Sequence, residues 1–116
     1  MTRRDPAVAL RHMLDHAREA AALVQGRSRE EVVADRVLSL ALVRLLEIIG
    51  EAARRVPPQE RTQHSDVPWA EIVSLRIRLI HGYDAVDYQI LWQITTTDLP
   101  VLIAALESIL AAQGRR

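Results

Sequence analysis

The stretch Arg36-Val37-Leu38-Ser39-Leu40-Ala41-Leu42-Val43-Arg44-Leu45-Leu46-Glu47-Ile48-Ile49-Gly50-Glu51-Ala52-Ala53-Arg54-Arg55-Val56 sets Leu38, Leu42, Leu45, Ile49, Ala52 and Val56 at alternating steps of four and three. That spacing keeps one face of a helix apolar over several turns, a seam suited to packing between other helices. Leu40, Ala41, Leu46 and Ile48 widen the apolar surface, so this helix is expected at the centre. Arg44, Glu47 and Glu51 form a polar stripe along it. Ser28 with Glu31 three residues on gives a capping-box start. From there the helical pattern runs to Arg55 with only Gly50 as a possible interruption. Pro57-Pro58 ends it, because proline removes a donor and restricts the residue before it.

The segments on either side are helical too. Asp5 before Pro6 caps a first helix bearing Leu10, Met13, Leu14, Ala17, Ala21 and Val24, with Gly26 as its stop. Residues 59–67 are polar and read as a loop. Pro68 and Trp69 open a third helix with Ile72, Leu75, Leu79 and Ile80 on its apolar stripe, interrupted at Gly82. A fourth carries Val86, Ile90, Leu91 and Ile94. Thr95-Thr96-Thr97-Asp98 supplies caps for a fifth, which has Pro100 near its start and Leu102, Ala105, Leu106, Ile109 and Leu110 inside. Gly114-Arg115-Arg116 reads as a frayed tail, and no stretch alternates with period two. The expected fold is an all-α antiparallel bundle of four to five helices, one domain over residues 1–116.

Composition narrows the function. The 116 residues carry fifteen acidic side chains against fifteen basic ones, all of them Arg, with no Lys, Cys, Asn or Phe. Zero net charge argues against non-specific coating of nucleic acid, yet leaves room for a small Arg-lined site. The absence of Cys excludes a disulfide scaffold, a zinc ribbon and thiol chemistry. No apolar run approaches the roughly 20 residues that span a bilayer, and Met1–Pro6 leads into a charged amphipathic segment, so no signal-peptide apolar region is expected there. A cytoplasmic protein without a membrane association is the expectation. Glycine-rich phosphate loops and the Gly-x-Ser-x-Gly elbow are missing, and no cofactor is implied.

His12 and His16, four apart, share a helix face and would make half of a metal site; without a third ligand they read as surface residues, and no metal is expected. His64 reads the same way. Trp69 and Trp92 sit within apolar helical patterns and are expected to pack, as is Tyr88.

Leu75-Arg76-Ile77-Arg78-Leu79-Ile80-His81-Gly82-Tyr83-Asp84 concentrates two Arg, one His and one Tyr at the end of the third helix. Arg78 and His81 share a face at i, i+3. Arg76 and His81 point about 140° apart on a straight helix. The latter two converge only if the helix distorts near Gly82 or a second helix or subunit completes a cleft. An Arg and a His beside a phosphodiester suffice for metal-free RNA cleavage, the His moving a proton and the Arg holding the phosphate. The simpler alternative is a helix-terminal His with ion-paired Arg neighbours.

The segment resembles the HEPN superfamily, in its HepT-like branch, whose motif is Arg, four to six residues, His, then Tyr two residues later. Here these are Arg76, His81 and Tyr83. Ile48-Ile49-Gly50-Glu51-Ala52-Ala53 is similar to the branch's Gly-Glu-Ala segment, and Val67-Pro68-Trp69-Ala70-Glu71-Ile72 to its entry into the motif helix. Tyr83-Asp84-Ala85-Val86-Asp87, Leu91-Trp92 and Asp98-Leu99-Pro100 are similar to the branch's segments on the carboxy-terminal side of the motif. The resemblance implies a homodimer whose two motif helices meet near the twofold axis, giving a composite site with two Arg and two His. It implies a metal-independent endoribonuclease toxin with Arg76 and His81 catalytic. It also implies an antitoxin partner, a minimal nucleotidyltransferase that uses ATP to adenylylate Tyr83 and so block the RNA site by charge and volume. Ile77 departs from the family, which commonly has a polar residue after the motif Arg. Arg78 is expected to supply an accessory phosphate contact in its place, and Glu51 to support the site by pairing with an Arg of the motif helix. Ile77 also favours an alternative: a non-catalytic, nucleotide-binding or adaptor partner of the transferase.

Overall fold

In the computed structural model, residues 5–83 and 85–114 are described. Met1–Arg4, Asp84 and the Arg115-Arg116 part of the expected tail lie outside them. Helix α1 spans Pro6–Val24. The Asp5 carboxylate accepts the Ala7 N–H at 3.0 Å, and Pro6 occupies the first turn, where its missing N–H costs nothing. The chain turns at Gly26, whose φ of +77° is a conformation that glycine adopts without strain. Ser28 and Glu31 then form the expected capping box. The Glu31 N–H donates to Ser28 Oγ at 3.1 Å and the Ser28 N–H to Glu31 Oε1 at 2.9 Å.

The helix that starts there is short. α2 covers Arg29–Ala34, and a separate α3 covers Arg36–Arg54, so the continuous helix from Ser28 to Arg55 is corrected. Asp35 makes the corner. Its backbone leaves the helical region, and its carboxylate accepts the Leu38 N–H at 3.0 Å as the cap of α3. Ser39, buried, donates its hydroxyl to Val32 O at 2.7 Å across the corner. α3 is central, packing against α1, α5 and α6 with the seam Leu38, Leu42, Leu45, Ile49 and Ala52 buried. Leu46 joins the seam, whereas Leu40 is exposed.

The capping box has a pH signature. Hydrogen bonds from the Ser28 N–H, and then from its hydroxyl, hold the Glu31 carboxyl below the usual glutamate value. A lowered carboxyl adds stability that is complete above the unfolded-state value, about 4.3, and is lost as pH falls through the lower folded-state value. Glu31→Gln is therefore expected to lower the melting temperature slightly at neutral pH, with the difference from wild type vanishing on acidification. A difference that grows with acid would contradict this account.

Beyond α3 the polar segment 59–67 is not all loop. Pro58 opens a short α4, Pro58–Gln63, and Arg61 Nε caps the end of the preceding segment by donating to Val56 O at 3.0 Å. Trp69 is buried, its Nε1 donating to His64 O at 3.0 Å. α5, Trp69–Val73, and α6, Leu75–Leu79, join at Ser74, whose hydroxyl donates back to Ala70 O at 2.9 Å. Helix ends at Leu79. A two-residue strand β1, Ile80–His81, pairs antiparallel with β2, Ala85–Val86, in the register Ile80↔Val86 and His81↔Ala85. The expectation of no strand, with Ile80 and Val86 as helical positions, is corrected accordingly. Gly82, at φ +78°, begins the turn between them.

Asp87 caps α7, Tyr88–Gln93, by accepting the Ile90 N–H at 3.0 Å. The expected break at Thr95–Asp98 does not occur. A π turn over Ile94–Asp98 leads directly into α8, Leu99–Gly114. Thr95 and Thr96 donate their hydroxyls to the preceding helix carbonyls rather than starting a new helix. The wider turn suits Pro100, which has no N–H for an α-helical bond and whose ring would clash with the carbonyl four residues back. The consequence is a rod of 27 residues, Tyr88–Gly114, the one helix among the described residues long and apolar enough by length and composition to cross a membrane. The expected division of this segment into two helices hid its length. One face of the rod, with Leu91, Ile94, Leu99, Leu102, Leu106 and Ile109, is buried in the core and packs on α1. The whole is an all-α bundle carrying one small β pair.

Candidate functional site

The junction of α6 with the β pair carries the Arg-His-Tyr motif, and α3 forms its floor. Arg76 is 74% exposed, its Nε 3.4 Å from Glu47 Oε2. The acidic partner of the motif helix is thus Glu47, one turn before Glu51, which corrects the expectation placed on Glu51. Glu51 instead lies in a cleft between α1 and α3 with His12, Arg44 and Arg55. Glu47 was visible in the polar stripe of α3. The helical phase alone did not say which stripe residue faces α6, because that depends on where α5 crosses.

The crossing is fixed by Gly50. A Cβ at this position would lie 2.9 Å from Ile72 O and 3.6 Å from Val73 O. The two helices approach so closely that only hydrogen fits, and the approach sets where α6 emerges over Glu47.

His81 sits on β1, its side chain 64% exposed, with Nε2 3.7 Å from Asp87 Oδ2. Tyr83 is 97% exposed, just past Gly82. It lines a shallow hollow with Arg36, Leu40, Val43, Glu47 and Val86. Glu47, which lines this hollow, is also the residue that meets Arg76. Ile77, next to Arg76, is 77% exposed. Among the described residues no hydrogen bond links Arg76 to His81 within the chain.

Arg78 is placed elsewhere. Because the helix stops at Leu79, the i, i+3 relation between Arg78 and His81 does not hold. Arg78 lines a separate groove with Asp66, Glu71, Thr97 and Asp98, which includes none of Arg76, His81 and Tyr83. The helical face expected to be common to Arg78 and His81 is therefore absent.

The remaining histidines have local partners. His16 Nδ1 lies 2.6 Å from His12 O, and the two rings meet edge to face. His64 Nε2 is buried without a hydrogen bond, 3.8 Å from Glu60 Oε2. Among the described residues no group of three His, Asp or Glu side chains is arranged to hold a metal.

An exposed Arg-His-Tyr set at a helix-to-turn junction, with Arg76 meeting Glu47 of the central helix, defines a helical protein with a polar cluster on its surface. The family model described as "Ribonuclease HepT-like" matches residues 13–109, a span that includes Glu47, Arg76, His81, Tyr83 and Asp87. The chain belongs to the HepT-like family. A "Putative RNase" of Caldanaerobacter subterraneus subsp. tengcongensis is 42% identical over 105 residues, covering 90% of this chain and 94% of that protein. Another from Methanocaldococcus jannaschii is 34% identical, covering 94% of this chain and all of its own length. The "Probable ribonuclease HepT" of Thermococcus cleftensis is 34% identical over 100 residues, covering 83% and 91% of the two chains. No solved structure matches the chain significantly.

Proposed function

We propose that this protein is a cytoplasmic, metal-independent endoribonuclease of toxin type that works as a homodimer. The observation that carries the reading is the exposure of Arg76 and His81 at one surface junction without a bond between them. Residues placed so openly need a second surface to enclose a phosphodiester, and a twofold copy of the same junction supplies it. In that composite site the Arg76 guanidinium holds the non-bridging phosphate oxygens through two parallel N–H donors. One His81 takes the proton of the ribose 2′-hydroxyl as its oxygen forms a bond to phosphorus. The bond from phosphorus to the 5′-oxygen breaks, and the second His81 gives that oxygen a proton. The products are a 2′,3′-cyclic phosphate and a 5′-hydroxyl. An exposed ion pair such as Arg76–Glu47 contributes about 0–1 kcal/mol, so a substrate phosphate readily draws Arg76 away from it.

The partner in this reading is a minimal nucleotidyltransferase that uses ATP to adenylylate Tyr83. The near-complete exposure of that side chain supports it, since a transferase must reach the phenol oxygen. Tyr83→Phe is expected to cleave RNA within a few-fold of wild type, to take up no AMP, and to arrest growth even when the transferase is co-expressed. Restored growth of cells making the Phe variant with the transferase would contradict the assignment. The exposed Ile77 beside Arg76 favours a second reading, a non-catalytic adaptor of the transferase. That reading expects wild type and His81→Ala to be equally harmless when expressed alone.

A further inference from the structure

Asp87 stands out among residues to which the motif gives no role. Two hydrogen bonds and its place in the chain hold it. Its backbone N–H donates to Leu79 O at 2.8 Å, tying it to the end of the motif helix. Its Oδ1 accepts the Ile90 N–H at 3.0 Å as the cap of α7. It comes directly after β2, whose pairing with β1 sets His81 opposite Ala85. With Oδ1 engaged by the cap, the planar carboxylate has one direction left for Oδ2, and that oxygen lies 3.7 Å from His81 Nε2.

We propose that Asp87 is the positioning residue for His81: a carboxylate locked by the cap of α7 that orients the imidazole and keeps its proton on Nε2. This rests on the ribonuclease reading above. The His81 side chain is 64% exposed, so a small ring rotation brings Nε2–H into hydrogen-bond range of Oδ2. Such contacts are commonly loose in free enzymes and tighten with substrate. Which nitrogen carries the proton is set by the bond the other side of the ring makes. With Nε2–H directed at Asp87, Nδ1 presents its lone pair outward. The 2′-hydroxyl proton passes to Nδ1, the Nε2 proton stays in place, and the carboxylate faces the imidazolium that results. Asp87 touches neither substrate nor phosphate.

The cap and the positioning role separate cleanly by substitution. Asn caps helices as well as Asp does, so Asp87→Asn keeps the bond to the Ile90 N–H. It then presents an NH2 group where Oδ2 was, and a donor facing Nε2 favours the opposite tautomer. The test uses the full chain. Ring nitrogen and carbon NMR shifts of His81, read where the ring is neutral, should report Nε2–H in wild type and a swing toward Nδ1–H in Asp87→Asn. In the same variant kcat for RNA cleavage should fall roughly 100-fold with KM within about twofold, and the melting temperature should stay near that of wild type. Asp87→Ser, which caps but is too short to reach His81, should lose kcat without the tautomer swing. An unchanged tautomer in Asp87→Asn, or an unchanged kcat, overturns the proposal. If wild type cuts no RNA, the ribonuclease reading fails, while the tautomer measurement still decides whether Asp87 governs His81.

Discussion

Replacing His81 by Ala is expected to lower RNA cleavage by at least about 100-fold, because positioned acid–base groups contribute roughly 10²–10⁴ to rates. In the proposed composite site the loss would be doubled in kind: the same substitution would remove the group that accepts the 2′-hydroxyl proton and the group that protonates the leaving 5′-oxygen. Stability should hardly change. The side chain is largely exposed and lies 3.7 Å from Asp87 Oδ2, its one charged partner among the described residues, and surface substitutions of this sort stay within about 0.5 kcal/mol. Gel-resolved cleavage of single-stranded RNA, paired with a thermal melt, separates the two effects. Full cleavage by the Ala variant would remove His81 from the chemistry.

The second large effect is structural. Gly50→Val puts a branched side chain where even a Cβ would sit 2.9 Å from Ile72 O. The opposing atom is backbone carbonyl in α5, so relief requires the helix itself to move. Overpacking of this kind costs about 1–3 kcal/mol, and the upper end applies where backbone must shift. The melting temperature should fall by roughly 4 °C or more for each kcal/mol. Because the same contact sets where α6 crosses α3, the variant should also lose RNA cleavage at temperatures where it is still folded. A variant with unchanged melting temperature would contradict the close approach of the two helices.

Much of the fold was legible because its signals are local. Asp5-Pro6, Gly26, the Ser28/Glu31 box and Pro57-Pro58 act through a few neighbouring atoms, and each appears where the sequence placed it. The corner at Asp35 was hidden because apolar periodicity continues across it. Val32 and Leu38 are both buried, and an aspartate inside a helical pattern reads as a tolerated polar position until its carboxylate is seen capping α3. The Thr95–Asp98 run misled for the opposite reason. Four cap-forming residues in a row read as a boundary, but a π turn absorbs Pro100 and the helix continues.

At the site, the motif residues were found by pattern, whereas their partners needed the third dimension. Glu47 and Glu51 both lie on the polar stripe of α3, and only the crossing at Gly50 assigns Arg76 to the first. Arg78 was set beside His81 by helical arithmetic that ends at Leu79. Asp87, in plain view within a matching segment, gains its role only when the β pair folds it back against His81.

In the proposed reaction this chain cleaves RNA with its own side chains, Arg76 and His81. The most direct measurement is the chemistry of the cut ends after purified protein acts on single-stranded RNA in excess EDTA. Cleavage that leaves a 2′,3′-cyclic phosphate and a 5′-hydroxyl is expected, and none from His81→Ala. Uncut RNA in EDTA, or ends bearing a 5′-phosphate and a 3′-hydroxyl, would contradict it.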